Sequence, residues 1–207
     1  MSDISHLSTQ DTSVTTILLV RHADVHNPKD IVYGRLPRFR ISDAGTKQAN
    51  AVASVLAGEW VTALYSSPQL RARQTAQIIN ARLGCQRIHI SSLIAEVLTG
   101  YEGQSNAILG GPFNFYANLL RPMDEDIPAI AARMARFLNI VRRRHAGTTV
   151  AAVSHADPIM TLRATMLGLP LVIGSLQGPS YPEKCSITEF RFTQGDPTPI
   201  VTYRPPR

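Results

Sequence analysis

Cysteine is nearly absent from this chain: Cys85 and Cys185 are the only two among 207 residues, far apart and in no Cys-x-x-Cys spacing. That pattern excludes a disulfide-built scaffold and a zinc knuckle, and leaves two reduced thiols behaving as small hydrophobes. Long apolar runs are missing as well, and none approaches the roughly 20 residues that a membrane helix needs. The stretch from Met1 to Ser13 has neither a basic n-region nor an apolar h-region, so a secretory signal is not expected and cytoplasm is the default location. Those thirteen residues read as a flexible tail ahead of one domain over 14–207. Charge of one sign is also scarce: 15 acidic residues face 21 Lys plus Arg, a formal balance of +6 that favours anionic ligands without choosing among them.

With 44% hydrophobic and 17% charged residues, the chain has the composition of a globular domain with a sizeable core. Apolar runs alternate with helical patterns. Val14 to Val20 reads as a buried, β-branched strand, Ser42 as the cap of a helix through Leu56 ended by Gly58, and Val61 to Tyr65 as a second strand. Pro68 marks the start of a helix over Gln69 to Leu83, with Gly84 after its last turn. Arg87 to Ile90 reads as a third strand. Asp124 to His145 is the strongest amphipathic pattern, with Ile127, Ile130, Met134, Phe137, Leu138 and Val141 at helical spacing. Its basic end, Arg142 to His145, complements a helix dipole and needs no nucleic acid to explain it. Thr148 to Val153 is a further buried strand, followed by a helix from about Asp157 to Leu167. Strand-like runs at Ser186 to Phe192 and Ile200 to Tyr203 follow. Strands alternating with helices predict a layered α/β domain with a mostly parallel sheet, whose ligands gather at the carboxyl ends of the strands.

Two strand ends carry nearly the same residues: Val20-Arg21-His22-Ala23-Asp24 and Val153-Ser154-His155-Ala156-Asp157. A lone histidine is usually structural, but two at equivalent strand ends point to a site. Arg21 precedes the first histidine. Arg71 and Arg73 lie in the first turns of the helix after the second strand, where a guanidinium fork joins the positive end of the dipole and suits a phosphate.

In this arrangement the chain resembles the histidine phosphatase superfamily, the phosphoglycerate-mutase-like group. Leu19-Val20-Arg21-His22-Ala23 is similar to its Arg-His-Gly signature. Ser66-Ser67-Pro68-Gln69-Leu70-Arg71-Ala72-Arg73-Gln74-Thr75-Ala76 resembles its second block, and Val153-Ser154-His155-Ala156 its third. Ile41-Ser42-Asp43-Ala44-Gly45-Thr46-Lys47-Gln48-Ala49 is similar to its Leu-Thr-x-x-Gly-x-x-Gln-Ala segment. The resemblance implies a three-layer α/β/α domain in which His22 is the nucleophile and becomes a phosphohistidine. It implies that Arg21, Arg71 and His155 bind the phosphoryl oxygens and stabilise the transition state. Ala95-Glu96-Val97-Leu98-Thr99-Gly100-Tyr101-Glu102-Gly103 resembles the family's acid segment with one residue missing. It makes Glu96 the general acid, with Glu102 in reserve, and that role calls for a raised carboxyl pKa. Further substrate contacts are implied at Asn27, Gly34 and Ala156. Ala23 and Ala156 stand where the family usually has glycine, Asn27 falls one position early, and the spacing after Gly34-Arg35 is one residue longer.

No metal or other cofactor is expected, because phosphoryl transfer rests on positioning and on neutralising the equatorial oxygens, which guanidinium and imidazole groups can do. The expected partners are a small phosphorylated substrate and inorganic phosphate as product, without nucleic acid or membrane. Three rivals remain: a 2,3-bisphosphoglycerate-dependent phosphoglycerate mutase, a metal-dependent hydrolase using His22-x-Asp24 and His155-x-Asp157, and a non-catalytic phosphate-binding module. Selectivity is expected in the irregular stretches Asn27 to Arg40 and Ser91 to Met123. There Phe39, Tyr101, Phe113, Phe115 and Tyr116 are candidates for an apolar wall.

Overall fold

The computed structural model describes residues 13–84, 87–109, 114, 116–178, 181–193 and 195–206. The expected tail, apart from Ser13, and Cys85, Phe113 and Phe115 fall outside the described residues. In chain order the elements are β1 (Val14–Arg21), α1 (Asp43–Leu56), β2 (Val61–Ser66), α2 (Leu70–Leu83), β3 (Ile88–Ile90), α3 (Ile127–Arg144), β4 (Thr149–Ser154), α4 (Ala156–Met166), α5 (Ile173–Leu176), β5 (Ile187–Thr193) and β6 (Ile200–Arg204). Short 3-10 turns at Ser92–Ile94 and Asn106–Leu109 interrupt the long excursion between β3 and α3.

The sheet runs β3-β2-β4-β1-β5-β6. Its first four strands are parallel, whereas β5 is antiparallel to both β1 and β6. Side chains alternate along β1 and sort the core into two layers. Ile17 and Leu19 join α3 and α4 through Ile130, Met134, Phe137, Leu138, Val141, Ile159 and Met160. Leu18 and Val20 join α1 and α2 through Ala49, Val52, Ala53, Leu56, Ala72, Ala76 and Ile79. Helices therefore cover both faces, giving the three layers that the resemblance implied. Each fully buried Leu, Ile or Phe of the α3 stripe contributes about 1.5–3 kcal/mol of transfer free energy. Among the described residues no helix is long and apolar enough to cross a membrane.

Local chemistry sets the helix ends. Ser42 and Asp126 accept from the backbone N–H of Gly45 and Ala129 and so cap α1 and α3, and Gly84 ends α2 at φ 69°. Gly58 does not supply the left-handed stop expected after α1. The cap falls on Ala57 in a right-handed conformation, and the reversal comes later, at Trp60 with φ 52°.

Candidate active site

The register of three neighbouring strands builds the site. Arg21 at the end of β1 is paired with Ser154 at the end of β4, and Ser66 at the end of β2 is paired with Val153. The His22 N–H continues the ladder onto the Ser154 carbonyl at 2.9 Å, and the Ser67 N–H onto the Val153 carbonyl at 2.9 Å. His22, His155 and the Ser67–Arg71 turn are therefore delivered to one sheet edge by backbone pairing, before any side chain makes a contact. His155 also occupies the N-cap position of α4, so that helix starts at the site.

His22 has a defined tautomer. Its Nδ1 is 2.7 Å from the Ala23 carbonyl, which can only accept, so Nδ1 carries the hydrogen and Nε2 keeps its lone pair. Arg71 Nε donates to that Nε2 at 3.2 Å. Burial, reinforced by Arg71, Lys184 and Arg21, holds the His22 pKa well below the ordinary histidine value, so the ring is neutral.

Arg71 is the hub. Its guanidinium is fully buried, and Nη2 lies within hydrogen-bond distance of the Gly34 carbonyl (2.8 Å), Glu96 Oε2 (3.1 Å) and His155 Nδ1 (3.1 Å). Tyr33 covers it, with the ring centroid 4.6 Å from the guanidinium carbon. His155 Nε2 meets Ser67 Oγ at 2.7 Å, and the Ser67 hydroxyl in turn donates to Gln69 Oε1. His155 Nδ1, on the other side of the ring, faces both Arg71 Nη2 and Glu96 Oε2. Burial pushes the His155 pKa down, against the pull of Glu96.

Glu96 is within the cluster, its Oε2 3.2 Å from His155 Nδ1. The expectation of a raised pKa is corrected here. Burial alone would raise it, but His155, Arg71 and the Val97 N–H hold this carboxyl well below the usual carboxylate range. The expectation rested on the role of general acid, which says nothing of a guanidinium already in contact. Glu102 is elsewhere: its Oε1 accepts from the Arg35 N–H at 2.5 Å. Gly34 is where the chain passes it, at φ 37°, and a Cβ there would stand 2.5 Å from the same oxygen.

A cavity of about 260 Å³ opens above these groups, lined by Arg21, His22, Gly34, Glu96, Ala156 and Asp157 among others. Arg21 donates from Nη1 to the Pro182 carbonyl at 2.5 Å, and its buried Nε has no hydrogen-bond partner. A buried donor left open beside a cavity is the kind of group an anion satisfies. Of the residues expected from the sequence, Arg21, His22, Gly34, Arg71, Glu96, His155 and Ala156 come together. Asn27 does not. Its amide is engaged at both ends with the Ile31 backbone, at 2.9 and 3.3 Å, closing its own loop.

His22, Glu96 and His155 also present ligand atoms within 4.8 Å of one another. This trio, not the two His-x-Asp pairs, is the arrangement a metal could use. Asp24 instead accepts from the Ser42 hydroxyl at 2.7 Å at the start of α1. Arg71 reaches each of the three candidate ligands, so a dication entering there would meet a guanidinium in its place. The donor set fits an anion held by Arg71 better than a metal.

Sequence reasoning missed several members of the site. Tyr33 lies over Arg71 and stacks on Phe39 at 5.2 Å, so Phe39 supports the site without lining it. Lys184 donates to the Tyr33 hydroxyl at 3.3 Å, and burial beside Arg21 brings its pKa down to about 7. Tyr101 is buried and donates to the Asn118 carbonyl at 2.7 Å, a packing role. Neither Tyr33 nor Lys184 lies in a run of residues that marks it out.

A family model described as histidine phosphatase superfamily (branch 1) matches residues 17–203. An uncharacterized protein of Mycobacterium tuberculosis is 37% identical over 161 residues, covering 74% of this chain and 79% of that protein. Phosphoserine phosphatase 1 of Hydrogenobacter thermophilus is 29% identical over 168 residues, covering 75% and 77%. Among solved structures, a histidine-to-alanine mutant of phosphoserine phosphatase from Entamoeba histolytica, in complex with phosphoserine, superposes with a TM-score of 0.76 at 24% identity. That match covers 92% of this chain and 96% of the other, and it shows the shared fold.

Proposed function

The chain belongs to the histidine phosphatase superfamily, branch 1, and on that premise we propose that it is a metal-independent phosphomonoester phosphatase working through a phosphohistidine on His22. One observation carries the assignment to His22. Its Nδ1–H is tied to the Ala23 carbonyl, so a neutral ring presents the Nε2 lone pair to Arg71 at the cavity floor. A phosphoryl group entering there takes Arg21 Nε, Arg71 and His155 onto its oxygens.

In the first step His22 Nε2 attacks phosphorus, the N–P bond forms, and the P–O bond to the alcohol breaks. Glu96 supplies the proton that the leaving alkoxide takes. In the second step Glu96 accepts a proton from water as that water attacks phosphorus, the N–P bond breaks, and inorganic phosphate leaves with His22 restored. Glu96 is ionised before substrate arrives. Bound phosphate draws Arg71 and His155 onto its own oxygens and adds negative charge beside the carboxyl. Both changes raise the proton affinity of Glu96, which takes up a proton from solvent or from the incoming monoanionic phosphoryl group and so becomes an acid only when there is a leaving group to protonate. The substrate expected is small and soluble, in keeping with a cavity of about 260 Å³.

Hydrolysis of p-nitrophenyl phosphate in EDTA, comparing the wild type with His22→Ala, tests the reading. Activity that survives chelation and vanishes in the variant, with an acid-labile phosphate trapped on the wild type, is expected. Loss of wild-type activity on chelation would overturn it.

A further inference from the structure

Asp157 stands in the first turn of α4, two residues past His155, and lines the same cavity. Its carboxylate is held by two tyrosines from separate segments. Tyr116, from the excursion before α3, donates to Oδ2, and Tyr181, from the loop before β5, donates to Oδ1 at 2.8 Å. Both donors are neutral, and among the described residues no lysine, arginine or histidine forms an ion pair with Asp157. The other carboxylate in the cavity wall, Glu96, has Arg71. The cavity therefore has cations for a phosphate and, in its wall, one carboxylate without a direct ion pair among the described residues, on which Arg21 acts only at longer range.

We propose that Asp157, oriented by Tyr116 and Tyr181, is the subsite for an ammonium group on the leaving alcohol, so that the substrate is the phosphate monoester of an amino alcohol. The proposal rests on the phosphatase reading and adds the class of leaving group. A carboxylate in a partly dehydrated wall is costly without a cation, and hydroxyl donors offset only part of that cost. Burial and the neighbouring Glu96 charge raise the Asp157 pKa, and neither the tyrosine hydrogen bonds nor the more distant Arg21 cancels them. An ammonium carried by the substrate supplies a direct ion pair, and the phosphate of the same molecule meets the cations. A helix N-terminus would favour an aspartate in any case. It does not require two tyrosine hydroxyls from distant segments to converge on the two carboxylate oxygens.

O-phosphoethanolamine and n-propyl phosphate have leaving groups of the same length and differ in the ammonium. The expected kcat/KM ratio in the wild type is about tenfold or more in favour of the amine, the scale of a charge-assisted hydrogen bond. In Asp157→Asn the ratio should fall to near one, through loss on the amine substrate. A wild-type ratio near one, or a ratio unchanged in Asp157→Asn, overturns the proposal. The wild-type ratio alone decides if the variant does not fold. His22-dependent hydrolysis of p-nitrophenyl phosphate, measured alongside, separates the two levels. If it is present with a ratio near one, the ammonium subsite fails and the phosphatase reading stands, whereas if it is absent both fall.

Discussion

Arg71 Nε donates to His22 Nε2 at 3.2 Å, while its Nη2 reaches the Gly34 carbonyl, Glu96 and His155. One buried guanidinium thus touches the proposed nucleophilic atom, the carboxyl and the second histidine at once. No lysine can do so, because an ammonium is a single point charge without the planar fork. Arg71→Lys is therefore expected to lower kcat/KM for p-nitrophenyl phosphate by about 10²- to 10³-fold, the scale of losing a preorganised donor. Steady-state kinetics would check this, and a loss under tenfold would show that charge alone suffices.

Glu96→Gln separates acid catalysis from phosphate binding. The p-nitrophenolate anion leaves with little need of a proton, and an alkoxide does not. The variant is expected to lose at least about 10²-fold in kcat on an alkyl phosphate and much less in the phosphorylation step with p-nitrophenyl phosphate, read from its single-turnover rate. Equal losses on both substrates would take the proton-donor role from Glu96.

The strand ends were legible in the sequence because each site element abuts an apolar run: Val20 before Arg21-His22, Val153 before Ser154-His155, and the Val61 strand before Ser66-Ser67. Backbone pairing then does the rest, since neighbouring parallel strands must bring their ends together. What could not be read arises from contacts between distant segments. Tyr116 and Asp157 are 41 positions apart, and Arg35 and Glu125 are 90 apart. No local period records such pairs. The Glu96 pKa departs from expectation for the same reason: a general-acid role calls for a raised value, but which cation lies against the carboxyl is not written in the local sequence.

Lys184 gives the site a pH dependence on the alkaline side. Its pKa is brought down to about 7 by burial, with Arg21 and Arg71 adding to the shift and Asp24 opposing it. Bound phosphate favours the charged ammonium, so affinity is full below that value and weakens as pH rises through it. The inhibition constant for inorganic phosphate is expected to rise by several-fold between pH 6.5 and 8.5 in the wild type, roughly following one titration, and less in Lys184→Met. On the acid side, burial and Arg71 depress the His22 pKa below its unfolded value, so the ring stays neutral to lower pH than a free histidine. The same depression costs stability as pH falls below about 6.5, where the unfolded chain binds the proton more readily. Matching Lys184→Met and wild-type slopes would remove Lys184 from phosphate binding.

Glu125 fixes the segment that carries Glu96. Its carboxylate accepts from Arg35 Nη2 at 2.8 Å, Arg133 Nε at 2.7 Å and the Leu98 N–H at 2.9 Å, while Arg35 Nε holds the Glu96 carbonyl at 2.7 Å and Arg133 Nη1 the Leu93 carbonyl at 2.9 Å. Glu125→Gln leaves two guanidinium groups facing each other without the charge between them. The group is partly exposed, so the stability loss is expected at about 1–3 kcal/mol, below that of a fully buried pair. For a chain of this size that corresponds to a fall in Tm of roughly 2–12 °C. The catalytic consequence distinguishes positioning from general loosening. If Glu125 acts by placing Glu96, its substitution lowers kcat most on alkyl phosphates and leaves KM nearly unchanged. Adding Glu125→Gln to Glu96→Gln then costs little more, because the two act on one step. Losses that simply multiply in the double variant would mean that Glu125 supports the fold without steering the carboxyl.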